Sequence, residues 1–86
     1  MRNTFDLIIA AYNSLIYKGP AVYCGVTTPA GSLGLEAHHE PFLTVLKENS
    51  LIHYRTPYAE KKSVPVRNGL LSFKDNTCVM TVSMTA

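Results

Sequence analysis

Charge, cysteine and long apolar runs are all scarce in this chain, and each scarcity excludes a class of protein. No segment approaches the roughly 20 consecutive apolar residues needed to cross a bilayer as a helix. The N-terminal stretch MRNTFDLIIAAYNSL does not read as a signal peptide, because Asp6 interrupts the start of an apolar run that is then only five residues long. Cysteine occurs only at Cys24 and Cys78, far apart and without a C-x-x-C motif. These two are expected as reduced core thiols of a soluble, intracellular protein. Charged residues make up 16%, and the net charge of +2 is spread along the chain. The densest basic run, Lys61-Lys62 with Arg67 nearby, is shorter than the stripe of a nucleic-acid binder and is expected as a solvated edge. A helical period is also missing, so the fold has to come from strands.

What is present is apolar and alternating. The 86 residues suffice for one domain, expected to span 1–86, and a hydrophobic content of 47% can supply a core. So much apolar residue with so little charge suggests surface reserved for a partner. TFDLIIA sets Phe5, Leu7 and Ile9 on one face, and SLIYKG ends at Gly19-Pro20. AVYCGVTT alternates Val22, Cys24 and Val26 with Tyr23, Gly25 and Thr27. PFLTVL is apolar on both faces, as a strand covered on both sides would be. KENS reads as a turn with Asn49 left-handed. LIHYRT then turns Ile52 and Tyr54 inward, His53 and Arg55 outward. Pro65 should put EKKSVPVR at an edge or beside a bulge. Asn68-Gly69 is a strong hairpin signal and Asp75-Asn76 a second turn. TCVMTVSM alternates Cys78, Met80, Val82 and Met84 with Thr77, Val79, Thr81 and Ser83. The expected fold class is all-β, a flattened β-sandwich or barrel of about seven to eight short, mostly antiparallel strands.

The stretch GSLGLEAHHEPFLTVLKEN, residues 31–49, concentrates the candidate chemistry. His38, His39, Glu36, Glu40 and His53 are zinc-type ligands, but neighbours on an extended segment point to opposite faces, so no metal is expected. Gly31-Ser32-Leu33-Gly34 lacks the Gly-Lys-Ser/Thr end of a phosphate loop and no helix follows it. Ser32, His38 or His39, and Glu40 supply the types of a catalytic triad, yet they are neighbours on one loop rather than groups that face one another. A protein-binding surface fits better, since glycines allow close backbone approach. Leu33 then serves as an exposed anchor, or Leu33 and Leu35 tuck under the sheet as a core plug; the residue pattern leaves both open.

The same residues carry a resemblance. Gly31-Ser32-Leu33-Gly34-Leu35, then Glu36-Ala37-His38, then His39-Glu40-Pro41-Phe42-Leu43-Thr44-Val45-Leu46-Lys47 is similar to the G-x-x-G…H-x-P-[LIF]-L-T-x-[LI]-[KR] block of the N-terminal β-sandwich domain of F-type ATP synthase epsilon subunits, equivalent to the mitochondrial delta subunit. Phe5-Asp6-Leu7-Ile8-Ile9, Leu15-Ile16-Tyr17-Lys18-Gly19 and Gly69-Leu70-Leu71-Ser72-Phe73 match other landmarks in order. The chain departs from the family at Ala37-His38, where Pro-Gly is usual, at Glu48-Asn49, where Pro-Gly is again usual, and at Ser32, often acidic. No C-terminal helical domain, typical of the family, is expected after the sandwich. The resemblance implies a non-catalytic central-stalk rotor subunit, without cofactor or metal, that links the gamma subunit to the c-ring. It would sit peripherally at the cytoplasmic face of a bacterial inner (plasma) membrane. Gly31, Ser32, Leu33, Gly34 and Glu36 would face the c-ring, and His39, Glu40, Pro41 and Phe42 the gamma subunit. An unrelated β-sandwich interaction module and a small metal-dependent enzyme are the alternatives.

Overall fold

Alternation along each segment decides which face is buried. The computed structural model describes residues 3–84, and among them the regular structure is all strand: β1 (Phe5–Ala11), β2 (Ser14–Ala21), β3 (Tyr23–Thr28), β4 (Gly31–Leu35), β5 (Phe42–Leu46), β6 (Ser50–Arg55), β7 (Lys61–Lys74) and β8 (Thr77–Met84). Phe5, Leu7 and Ile9 of β1 are completely buried, as are Cys78 and Met80 of β8 and Cys24 of β3. The alternating readings therefore hold at Phe5, Leu7 and Ile9, at Cys24 and Val26, and at Cys78, Met80 and Val82. None of the described residues forms a helix that could cross a membrane.

The strands hydrogen-bond in the order β2-β1-β8-β7-β6-β3-β4, with β5 joined to β7. All pairs are antiparallel except β1 with β8, which run parallel with Leu7 beside Cys78 and Ile9 beside Met80. β7 is the element that turns one ribbon into two layers. It is 14 residues long, and one of its edges serves two strands in succession. Residues 61–66 pair with β6, and residues 69–73 pair with β5. The opposite edge pairs with β8, with a register shift between Val66 and Asn68 that leaves Arg67 as an extra residue. Such a bulge bends the strand and increases its twist. The break from β5 to β6 falls opposite it, where the Asn49 N–H donates to the Arg67 carbonyl at 2.9 Å. The sheet thus folds over a corner at Arg67-Asn68. Its inner faces meet in one core that joins Phe5, Leu7, Cys78, Leu71 and Phe73 from one layer with Cys24, Leu35, Ile52, Val64 and Val66 from the other. The short axis of 19 Å fits two layers spaced by about 10 Å with side chains on both outer faces. The fold is a β-sandwich.

Four local expectations need correction. Asn68-Gly69 is not a hairpin turn but part of the bulged, continuous β7, and Gly69 has no positive φ. Its lack of a side chain answers crowding instead, because a Cβ there would lie 2.9 Å from the Thr81 carbonyl oxygen and 2.9 Å from Val82 Cγ1. The two-residue reversal is at Asp75-Asn76, with φ of 51° and 56°, the pair of left-handed residues that a type I′ turn requires. PFLTVL is covered on one face only, since Leu43 is 76% and Val45 49% exposed. Gly19-Pro20 does not end its strand: β2 is a sheet edge, where proline is tolerated, and runs on to Ala21. Met84 does not complete the inward row, being 40% exposed at the end of β8. The Asn49 reading holds, with φ of 54°, although β5 and β6 continue in the same direction across it.

Cys24 and Cys78 are free and fully buried. They come from different layers, and the Cys78 thiol lies within hydrogen-bonding reach of Cys24. That contact, with burial second, pushes the Cys24 thiol far above its ordinary 9.0. A thiol raised in the folded state favours folding below its unfolded value and ceases to do so as pH climbs past it. Denaturant midpoints should therefore fall as pH rises above about 9, and Cys24→Ala should flatten that decline. Iodoacetamide at mildly alkaline pH should label Cys24 only after denaturant is added.

Candidate functional site

Residues 31–42 form an edge strand and the connection leading from it. β4 pairs with β3 on one side only, with Gly25 opposite Gly34 and Val26 opposite Leu33. The β3–β4 turn closes on Thr28, whose hydroxyl donates to the Gly31 carbonyl at 3.0 Å and accepts from the Ala30 N–H at 3.1 Å. Gly31 takes φ of 124° with nothing near its missing Cβ, so the backbone there is bare and open to approach. Leu33 and Leu35 behave as the core plug. Leu35 is fully buried and Leu33 half-buried against the core, while Ser32 and Gly34 face outward.

Gly25 and Gly34 share one purpose that the sequence did not disclose. A Cβ on either would stand 2.9 Å from the Tyr23 hydroxyl and 3.1 Å from its ring. The hydroxyl end of the Tyr23 ring lies against this glycine pair, so the outer face of β3 and β4 sets an aromatic side chain on bare backbone.

Beyond Leu35 the chain makes a turn in which the His39 N–H donates to the Glu36 carbonyl at 3.3 Å. His38 carries the left-handed φ of 66°, at the place where the resembling family usually has glycine. Asn76 ties this turn down: its Oδ1 accepts from the His38 N–H at 2.7 Å, and its Nδ2 donates to the Thr4 carbonyl at 3.0 Å. Local sequence marks Asn76 only as a turn residue and offers no signal for a bond spanning 38 positions. Asn76→Gly keeps the left-handed turn and deletes both bonds. It should cost about 1–2 kcal/mol in urea unfolding and speed amide exchange at His38.

The His39 ring packs edge-on to Phe42 at 6.1 Å and to Phe73 at 5.6 Å, while its Nδ1 contacts the Glu40 carbonyl at 2.7 Å. Glu40 and Pro41 are exposed and Phe42 half-buried. Glu36, grouped by motif with Gly31–Gly34, stands at the far end of β4 in the same turn as His39. The candidate catalytic and metal sets do not converge. Ser32 faces outward opposite Thr27, far along β4 from the His39 ring. His53 belongs to β6 and bonds Ser63 at 2.9 Å. Among the described residues no three His, Cys, Asp or Glu side chains gather as a metal site. What the residues form is a bare β4 edge with a histidine–phenylalanine corner beside it.

The family model for the ATP synthase delta/epsilon chain β-sandwich domain matches residues 4–84. The chain belongs to this family. Both candidate groups lie inside the matched span. The ATP synthase epsilon chain of Nitrosospira multiformis is 30% identical over 70 residues, which cover 81% of this chain and 50% of that protein. Among solved structures, a chain of the Euglena gracilis mitochondrial ATP synthase superposes with a TM-score of 0.87 at 15% identity, covering 95% of this chain and 52% of the other. A chain of the Tetrahymena thermophila central stalk and c-ring structure gives 0.74 at 16%, covering 91% and 62%. The chain thus spans about half the length of the epsilon chain it matches. At such identities the two superpositions show a shared fold and nothing more.

Proposed function

We propose that this chain acts as the rotor-coupling sandwich of an F-type ATP synthase central stalk, bridging the gamma subunit and the c-ring without chemistry of its own. Membership of the delta/epsilon family supports the assembly. The observation that carries the bridging role is the division of residues 31–42 into two adjoining surfaces. The β4 edge, from Gly31 through Ser32, Leu33 and Gly34 to Glu36, would meet the polar loops of the c-ring. The corner of His39, Glu40, Pro41 and Phe42 would meet gamma. The gamma surface would continue over the outer face of β5 and β7, where Leu43, Val45 and Leu70 are 76%, 49% and 55% exposed. Contiguous apolar exposure of this kind marks an interface more often than free surface. A sandwich bent from one hydrogen-bonded network suits torque transmission, because no layer can slide without breaking ladder bonds. The complex would hold the chain peripherally, at the cytoplasmic face of a bacterial plasma membrane.

Size-exclusion chromatography with light scattering on a mixture with the cognate gamma subunit tests this. A stable one-to-one complex is expected, weakened about tenfold or more by Glu40→Lys or His39→Ala, as for a contact at the centre of an interface. No complex with folded protein would overturn the bridging role and leave the family membership standing. Gly34→Val should leave the domain folded, since only the end of the Tyr23 side chain must move, yet weaken attachment to the c-ring. If Gly34→Val unfolds the chain instead, Gly34 is a structural residue and not a contact.

A further inference from the structure

The outer face of the β3–β6–β7 layer carries a charge arrangement that the bridging role does not use. Register places Tyr23 opposite Arg55, and Arg55 opposite Lys61. In the next row, Gly25 stands opposite His53 and His53 opposite Ser63. Two like charges directly opposite on antiparallel strands destabilise a sheet, and nothing among the described residues relieves this pair. Among the described residues, the Arg55 and Lys61 side chains make neither an ion pair nor a hydrogen bond. Glu60, the nearby acid, sits 3.7 Å from Lys62 instead. The residues lie around a groove of about 360 Å³ lined by Tyr23, His53, Tyr54, Arg55, Lys61, Lys62 and Ser63, with no acidic side chain in its wall. The Tyr23 ring, seated on Gly25 and Gly34, gives the groove a firm aromatic side. The His53 ring is held by its 2.9 Å contact with Ser63.

We infer that this groove is a binding site for a phosphate group. The guanidinium of Arg55 presents a planar fork of donors suited to phosphate oxygens, and Lys61 adds a point charge from the adjacent strand. The His53–Ser63 pair adds one further donor: the ring Nε2–H when Ser63 donates to Nδ1, or the Ser63 hydroxyl when Nδ1–H donates to Ser63. A bound phosphate converts the repulsion between Arg55 and Lys61 into shared attraction. The phosphate belongs either to a lipid headgroup or to a soluble phosphate ester. The site lies away from the His39 corner, so it stands whether or not the chain binds gamma.

Titration of isotope-labelled protein with inorganic phosphate at low ionic strength tests the site. Saturable amide shifts are expected at Tyr23, His53, Arg55, Lys61 and Ser63. Arg55→Gln should weaken binding about tenfold or more, the loss of a charge-assisted hydrogen bond, with the remaining spectrum unchanged. Lys74→Gln, at the far end of β7, should leave the affinity as it was. Flotation with phosphatidylglycerol vesicles, but not phosphatidylcholine vesicles, lost in Arg55→Gln, identifies a lipid headgroup as the source. Saturable phosphate binding without flotation identifies a soluble ester. Shifts that never saturate and spread over every basic residue, or that survive Arg55→Gln, overturn the site.

Discussion

Phe73→Ala should lower the unfolding free energy by about 3–5 kcal/mol, as measured by urea denaturation followed in far-UV circular dichroism. Phe73 is 1% exposed and sits where three parts of the molecule meet. Its ring packs on Phe5 at 5.6 Å from β1 and on His39 at 5.6 Å from the β4–β5 connection. It is also the β7 partner of both Phe42 and Cys78. The alanine variant opens a cavity that rigid ladder bonds on both sides prevent from closing. A domain of this size has only about 5 kcal/mol or somewhat more in reserve, so the variant should be largely unfolded near body temperature. Phe73→Leu should retain more than half of the loss and release the His39 ring, which a complex-formation assay with gamma would register. A cost below about 1 kcal/mol for the alanine variant would mean that the corner is held by something other than this ring.

Gly69→Val should cost about 3 kcal/mol, the upper part of the range for overpacking. Gly69 is squeezed between β5 and β8, paired with Leu46 on one side and Val82 on the other. A Cβ would meet the Thr81 carbonyl at 2.9 Å and the Leu46 Cδ1 at 3.0 Å. The carbonyl is backbone and cannot rotate aside, so the strand itself must shift. Amide exchange should show β5 and the end of β8 loosening before β1 or β3. Gly69→Ala should lose less but still destabilise. An alanine that stabilises would show that conformational freedom, and not crowding, is the reason for glycine here.

The contrast between Gly69 and Asp75-Asn76 shows where sequence reading stops. Asn-Gly is a strong reversal signal because glycine readily adopts positive φ. In this molecule the glycine answers crowding from two flanking strands, and such neighbours have no local signature. Asp75-Asn76 makes the reversal with two non-glycine residues in the left-handed region, at φ of 51° and 56°. PFLTVL failed for a related reason. An apolar run states that water is unfavourable, not which protein surface will exclude it. Leu43 and Val45 face outward because none of the described strands covers β5 on that side.

Period-2 alternation by itself determined the all-β class, the inward rows of β1, of β6 and of β8 as far as Val82, and the burial of both cysteines, because a strand's side chains have only two faces. The G-x-x-G to H-x-P block likewise identified the family from contiguous residues. Only the tertiary structure decided that β7 bends at Arg67 and serves β5, β6 and β8 together. It also decided that Tyr23 lies against two glycines and that Asn76 holds the His38 turn. Pairing between distant strands set the Arg55–Lys61 repulsion as well. Each of these depends on register between segments far apart in the chain, and register is the property of a sheet that no single strand contains.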